Sequence, residues 1–518
     1  MALNRYSPQF SARVLFCVWI VSVLVIGCAG PSPIPSTPPL TAAHASTLPS
    51  VTSAPGTELS PTVTSTGELS PTTVLLPDVT STPAHGSSPT PLVGMTPTPT
   101  AVVTPHVTTA THVLAHLAAP GVNFISLMWH WRYASNLDWS PDGTTLVYRC
   151  KERGLCLARD PDFTARLLIQ EASVSPQPRW SPDGQKIAFV YERPYSAGGK
   201  QTVATIAVIR TDGSGFRDLL PGDLAVTGTG AAAKTINRWL NDDSLSFMAH
   251  CGTECESLYK IEVAKGVLTP LVRWPDGILR TQEGINYHWS PDQKTIAMER
   301  RGRQPCLLLL DTAGGQETSL SPCMVQWFES WAPDSQRFLY GQWVEPYGTT
   351  LQDGKPVLHI WKMTTNEGLS LLPNALNAAW SPDGHLVAFE LLGKPAYDQN
   401  GRITDTDFQP GQAFALHVGL MDVDTREVIA LIPCGVSTAS ELKLDEHRPV
   451  WSPDGDQVAY RDSNGDLWVM RADGYMRWRL TWNLPAHRVI WSPDGSKLAF
   501  TTSDAVYVVE RPSVQQAP

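Results

Sequence analysis

The ten residues WSPDGSKLAF start at Trp491, and WSPDGDQVAY starts forty residues earlier at Trp451. The same pattern, Trp followed three residues later by Asp, recurs at Trp139, Trp180, Trp239, Trp289, Trp331 and Trp380, which makes eight copies. A unit that returns about every 40 to 50 residues, with longer intervals before Trp239 and Trp451, cannot bury its own apolar faces and must stack on its neighbours, as in propellers and solenoids. WPDG at Trp274 lacks the Ser and is not followed by a strand pattern, so it stands outside the series.

Within a copy the residues describe a turn and then strands. Pro presets φ at the second turn position, Asp bonds back to the backbone, and Gly supplies a positive φ. Alternation follows, as in Lys186 to Val190, and a second strand such as Asp466 to Ala472 comes after a short hairpin. A turn at Ala472 to Gly474 leads to a third strand, Met476 to Trp482, and the short run before each Trp makes a fourth. Four antiparallel strands per repeat is one propeller blade. The expected fold is all-β: a β-propeller of four-stranded antiparallel blades over residues 112–511, followed by a tail at 512–518. It has eight blades, or seven if the irregular copy at Trp239 does not complete one. After Trp491 the chain offers too few strands for a full blade, so His112 to Ala118 is expected to supply the outer one and close the ring. The motif Trp residues hold one structural position in every copy and are read as packing elements.

The stretch DLWVMRADGYMRWRLTW, Asp466 to Trp482, followed by WSPDG, resembles the WD40-like repeats in the propeller of TolB, the periplasmic protein of the Tol-Pal system. The resemblance covers about residues 112–511 and implies the fold. The chain departs from TolB in having eight motifs where TolB has six blades, no α/β domain ahead of the propeller, and a lipobox. These departures separate the fold from a Tol-Pal role.

Arg5 and Arg13 precede the apolar run Val14 to Gly27 and then Cys28, which is the layout of a signal peptide. The run is shorter than the ~20 residues a membrane span needs. Val25-Ile26-Gly27-Cys28 resembles the bacterial lipobox, in which the Cys becomes the new N-terminus and carries the lipid. Residues 1–27 are therefore expected to be a lipoprotein signal peptide and Cys28 the lipidation site. From 28 to 111 Pro, Ser and Thr dominate, a composition that cannot offset its ordering entropy. It reads as a disordered tether with a reach of about 50 Å, either bare or carrying O-linked sugars. The expected location is the cell envelope, anchored to a membrane on its extracytoplasmic side.

The formal net charge of -10 argues against nucleic acid as a partner. No G-x-S-x-G, H-E-x-x-H or C-x-x-C occurs. DQNGRITDTD, Asp398 to Asp407, is rich in oxygen ligands, but Gly401 stands two places too early for a calcium loop. Asn464-Gly465 within DSNGD reads as a hairpin turn. The 13 His residues are scattered. No catalytic residue, metal ligand or cofactor is assigned.

Long connections fall at about 222–233, 275–284, 344–356, 392–411 and 435–447. With the strands of a blade named a to d from axis to rim, all of these are b–c or d–a connections, on the face opposite the SPDG turns and the c–d hairpins. Insertions gathered on one face of a repeat array mark a binding face. Tyr347, Tyr397, Asp398, Arg402, Asp405, Asp407 and Phe408 are its candidate side chains. An exported chain can oxidise its Cys residues. Placement in the blades pairs Cys150 with Cys156, Cys251 with Cys255 and Cys306 with Cys323, and leaves Cys434 free because His417 stands where its partner would be. The expected function is binding of a protein or glycan partner at the envelope. The rival is a carbohydrate lyase or hydrolase working in the central funnel.

Overall fold

The computed structural model describes residues 106–108, 113–118, 136–150, 154–170, 172, 177–194, 202–220, 235–250, 256–272, 285–300, 306–313, 317–320, 326–344, 354–442, 447–503 and 505–513. Cys28, the expected signal peptide and the expected tether up to residue 105 lie outside them. Regular structure among the described residues is all β, arranged as eight blade sheets in a propeller ring and one separate two-stranded hairpin sheet.

Strands a to d of blade 1 are Leu137–Trp139, Thr145–Arg149, Leu155–Arg159 and Thr164–Ile169. Blade 2 has Arg179–Trp180, Lys186–Pro194, Thr202–Arg210 and Arg217–Asp218. Blade 3 has Thr235–Asn241, Ser244–His250, Glu256–Glu262 and Val267–Pro270. Blade 4 has Ile285–Trp289, Thr295–Arg300, Cys306–Asp311 and Glu317–Ser319. Blade 5 has Gln326–Trp331, Arg337–Val344, Lys355–Lys362 and Glu367–Pro373. Blade 6 has Ala375–Trp380, Leu386–Leu392, Phe414–Asp422 and Val428–Ser437. Blade 7 has Val450–Trp451, Gln457–Arg461, Leu467–Arg471 and Met476–Arg479. Blade 8 has Val489–Trp491, Lys497–Thr501 and Ala505–Glu510, and Val113–Ala118 pairs antiparallel with the last of these as its outer strand. The copy at Trp239 thus completes a four-stranded blade, which decides for eight over seven.

The SPDG turns are held by one repeated network. The motif Ser hydroxyl donates to the Asp carboxylate at 2.5–2.7 Å in blades 1, 2, 4, 6, 7 and 8. The same hydroxyl oxygen accepts the backbone N–H five residues on, at 2.9–3.0 Å. At Asp142 the Ser140 hydroxyl is the main reason its carboxyl sits below the usual range. At Asp183 and Asp383 burial pushes the carboxyl up, but the Ser hydroxyl and the following N–H groups outweigh it. The Gly of the motif takes the left-handed conformation its place requires, with φ +68° at Gly184. Gln293 and Ser335 adopt the same conformation where the motif lacks Gly.

Blades are joined at their inner edges by a second network. The indole N–H of Trp239, Trp331, Trp451 and Trp491 donates to the carbonyls of Arg179, His288, Ala379 and Val450 of the preceding blade, at 2.9–3.0 Å. Two other seams use backbone donors and side-chain acceptors: Asp138 Oδ2 receives the backbone N–H of Trp180 at 2.9 Å and Ser330 Oγ that of Trp380 at 3.3 Å. Asn237 Nδ2 donates to Tyr287 O between blades 3 and 4 at 3.0 Å, and Lys497 pairs with Asp160 at 2.9 Å where blade 8 meets blade 1. The apolar cores lie in the seams. In strand b of blade 6, Ala388 and Leu392 pack with Trp451, Val458 and Tyr460 of blade 7. The alternate residues Val387, Phe389 and Leu391 pack with Leu339 and Leu358 of blade 5. One strand serves two cores, which is why its sequence reads LVAF rather than apolar-polar.

A strand falls in the stretch expected to be tether. His106–Thr108 lies parallel to Met476–Trp478 and makes a fifth strand on blade 7. The propeller's strand structure therefore begins ahead of residue 112.

Ser181→Ala removes both a donor to Asp183 and an acceptor for the Lys186 N–H, and is expected to destabilise by about 1–3 kcal/mol in denaturant melts. Ala332 occupies the Ser position in blade 5 and is fully buried. Restoring the hydroxyl with Ala332→Ser is expected to raise stability by about 0.5–1.5 kcal/mol.

Candidate functional site

The residues singled out on the expected binding face do not stay together. Tyr347 lies outside the described residues. The 392–411 insertion carries its own hairpin, Pro395–Tyr397 with Ile403–Thr406. Gly393, at φ +83°, lets the insertion leave strand b where a Cβ would stand 2.6 Å from the Phe408 nitrogen. The hairpin then folds back over the rim between blades 5 and 6. Ile403 is buried among Ile360, Leu371, Leu372, Met421 and Val423, and Arg402 Nη2 donates to Thr425 O at 3.4 Å. Thr425 belongs to the c–d hairpin of blade 6, so the tip reaches the tight-turn side. Tyr397, Asp398 and Arg402 are therefore rim residues and not part of the loop-face mouth.

The carboxylates of the insertion hold its shape. Asp398 Oδ1 accepts the N–H groups of Asn400 and Arg402 at 2.8 and 2.9 Å, and the Arg402 N–H is the chief cause that holds its carboxyl low. Asp405 Oδ1 accepts Asn374 Nδ2 at 3.1 Å, and Asp407 Oδ1 the Lys394 N–H at 2.6 Å. Phe408, expected as a ligand contact, is 1% exposed and stacks edge-on against Phe414. It is a core residue, because the chain returning from the hairpin has to cover the end of the blade 6 core.

At the loop-face end of the inner strands of blades 5 to 7 the structure gathers a cluster that the motif scan missed. Glu329 and Asn377 sit at strand irregularities, which turn their side chains into the seam. Glu329 is 1% exposed and accepts from Trp327 Nε1 (2.7 Å), the N–H groups of Asn377 (3.0 Å) and Ala378 (3.1 Å), and Arg448 Nη2 (2.8 Å). Glu390, fully buried in the neighbouring seam, receives Asn377 Nδ2 at 2.7 Å and faces His447 Nδ1 at 4.0 Å. Burial pushes its carboxyl up to about 8, against the pull of the Asn377 amide and the Arg461 charge, while the charge of Glu329 adds to the rise. Glu390 and Arg461 stand ten residues after their motif Trp, and so do Arg149 and Glu299. A charge at one fixed place in an otherwise apolar strand was the available signal.

Blade 7 has a further fixed loop on this face. Asp466 is fully buried and accepts from Arg479 Nη2 (2.6 Å), Thr481 Oγ1 (3.1 Å) and the N–H groups of Asn483 (3.2 Å) and Leu484 (3.1 Å). Burial raises its carboxyl, but these donors outweigh it and hold the group low. On the tight-turn side two clefts lie between blades. One, of about 660 Å³, is lined by Asp142, Arg159, Arg166 and Asp183. The other, of about 330 Å³, is lined by Arg337, Lys362, Asp424 and Arg426. Arg337 is already engaged by Asp334 and the Trp380 ring.

Cys150 and Cys156 form a disulfide with Cα atoms 5.8 Å apart, and Cys434 is a buried free thiol. Pro433, not Cys434, stands opposite His417. Cys306 is disulfide-bonded. Cys251, Cys255 and Cys323 lie outside the described residues. Among the described residues no three His, Cys, Asp or Glu side chains are grouped to hold a metal.

No family model matches the sequence, and no curated protein matches it. Solved structures are similar in fold. The C-terminal WD40 domain of Sif2 is 15% identical over 79% of this chain and 100% of its own, with a TM-score of 0.47. TolB from Acinetobacter baumannii is 15% identical over 66% of this chain and 77% of its own, with a TM-score of 0.33. An oligogalacturonate lyase in complex with manganese is 12% identical over 65% of this chain and 88% of its own, with a TM-score of 0.39. Identities this low speak to fold alone.

Phe408→Ala is expected to lose about 3–5 kcal/mol of stability, and Tyr397→Ala less than about 0.5 kcal/mol, in parallel denaturant melts. Glu390 binds its proton more tightly folded than unfolded, where its value is about 4.3. The folded state therefore loses stability as pH rises from about 5 to about 8. Thermal melts across that range are expected to show this fall in the native chain and a flatter profile in Glu390→Gln.

Proposed function

We propose that this chain is an exported lipoprotein, anchored through Cys28, whose propeller binds a protein or glycan at the cell envelope. The observation that carries the reading is the use of side chains on the loop face. Glu329, Asp405, Asp407 and Asp466 each spend their oxygens on fixing a loop or seam. Loops fixed in advance lose less entropy on binding. A general acid or base needs an oxygen within reach of a substrate, and the carboxyl of Glu390 is sealed from solvent.

Three measurements test the proposal. Cys28→Ala is expected to move the protein out of the detergent phase, and a correctly cleaved mutant that stays membrane-bound would refute lipid anchoring. Hydrogen exchange of the native chain in solubilised envelope is expected to show protection of the loops around Asp405 and Asp466. Protection confined to the SPDG turns would reverse the assignment of faces. Release of unsaturated products from oligogalacturonate would replace binding by catalysis.

A further inference from the structure

Trp482 lies in the d–a loop of blade 7 and is 47% exposed. A single exposed aromatic needs no explanation by itself. The loop beneath this one is unusual in how completely it is fixed. Asp466 receives the N–H groups of Asn483 and Leu484 and the Thr481 hydroxyl, while Thr481 Oγ1 accepts the Leu467 N–H at 2.8 Å. The Ala486 N–H bonds to Gly465 O at 2.9 Å, and Arg461 Nη1 donates to Ala486 O at 2.8 Å. The backbone on either side of Trp482 has no slack with which to fold the indole inward.

The ring is also backed. The Arg479 guanidinium stands 5.6 Å from the Trp482 ring and 5.5 Å from the Trp468 ring. It bonds to Asp466 at 2.6 Å and to Thr481 O at 2.9 Å. Trp468 is anchored in turn by its indole N–H to Asp462 Oδ2 at 3.0 Å. The result is a Trp–Arg–Trp assembly whose cation is neutralised by a buried carboxylate, with Trp482 open to solvent.

We propose that this assembly is a stacking subsite for a neutral sugar ring. The apolar C–H face of a pyranose carries slight positive charge and fits the negative face of an indole. Asp466 neutralises Arg479, the cation against the exposed Trp482 ring, and so removes there the charge that would select a phosphate or a uronate; Arg477 lies against the inner Trp468 ring at 5.3 Å. The exposed amides of Asn464 and Asn483, on the two segments that meet at Asp466, offer donors and acceptors to hydroxyl groups. A protein hot spot would instead call for a desolvated apolar surround, whereas Thr481 and Asn483 on either side of Trp482 are polar, with the half-buried Leu484 and the exposed Pro485 beyond them. This inference deepens the binding reading above and rests on it.

The test is native electrophoresis of the full chain through gels containing dextran, xyloglucan, mixed-linkage β-glucan or polygalacturonate. Retardation by at least one neutral polymer is expected, with apparent affinity about tenfold weaker in Trp482→Ala, a difference of one decade in Kd. Trp482→Phe is expected to restore part of it, and neither change should move the Tm. Absence of retardation in every neutral gel, retardation by polygalacturonate alone, or unchanged retardation of Trp482→Ala would each overturn the subsite. A photo-crosslinker at position 482 that captures a protein would also overturn it. If Trp482→Ala protects its loop-face amides in solubilised envelope as fully as the native chain does, the sugar subsite fails and the loop-face reading stands.

Discussion

The structure depends on hydrogen bonds at the inner edge of the blades. Each blade alone would expose two apolar faces, and only the neighbouring blades cover them. The motif Trp fills the seam and, in four blades, ties its N–H to a carbonyl of the blade before. The Ser-Asp network behind it fixes the turn that aims strand b. Position of the ring and register of the strands thus come from a few residues repeated eight times.

Eight similar seams pose a problem of identity, and buried charge marks some of them as different. Glu329 and Glu390 are both carboxyls without solvent, one seam apart. Glu329 meets four donors, including a guanidinium, and its charge is matched. Glu390 has one amide donor and a distant imidazole, and its carboxyl is pushed up to about 8. Two neighbouring carboxyls thus differ in cost because of their surroundings, not their exposure.

The loop face is constructed on the same principle. Carboxylates that look like ligands in the sequence accept N–H groups of their own loops, as Asp398, Asp407 and Asp466 do, and so hold those loops in place. Trp482 is outward because Asp466 and Arg479 hold its loop, while Phe408 is inward because the insertion must close a core.

The sequence by itself determined the fold. Trp, Pro, Asp and Gly in fixed order dictate a turn and a strand through local geometry, and their repetition dictates a ring; even the closing strand near Val113 follows from counting strands after Trp491. The Cys150–Cys156 bridge was equally legible, because both residues flank one hairpin. Contacts between segments distant in the chain were decided only by tertiary structure. No local rule says that the hairpin at 395–406 turns over the rim to bury Ile403, that Phe408 enters the core, or that Glu329 meets Arg448 more than a hundred residues later. The site inferred around Trp482 belongs to the same class: its indole is one of 18 in the sequence, and only the packing of Arg479 and Asp466 beneath it sets it apart.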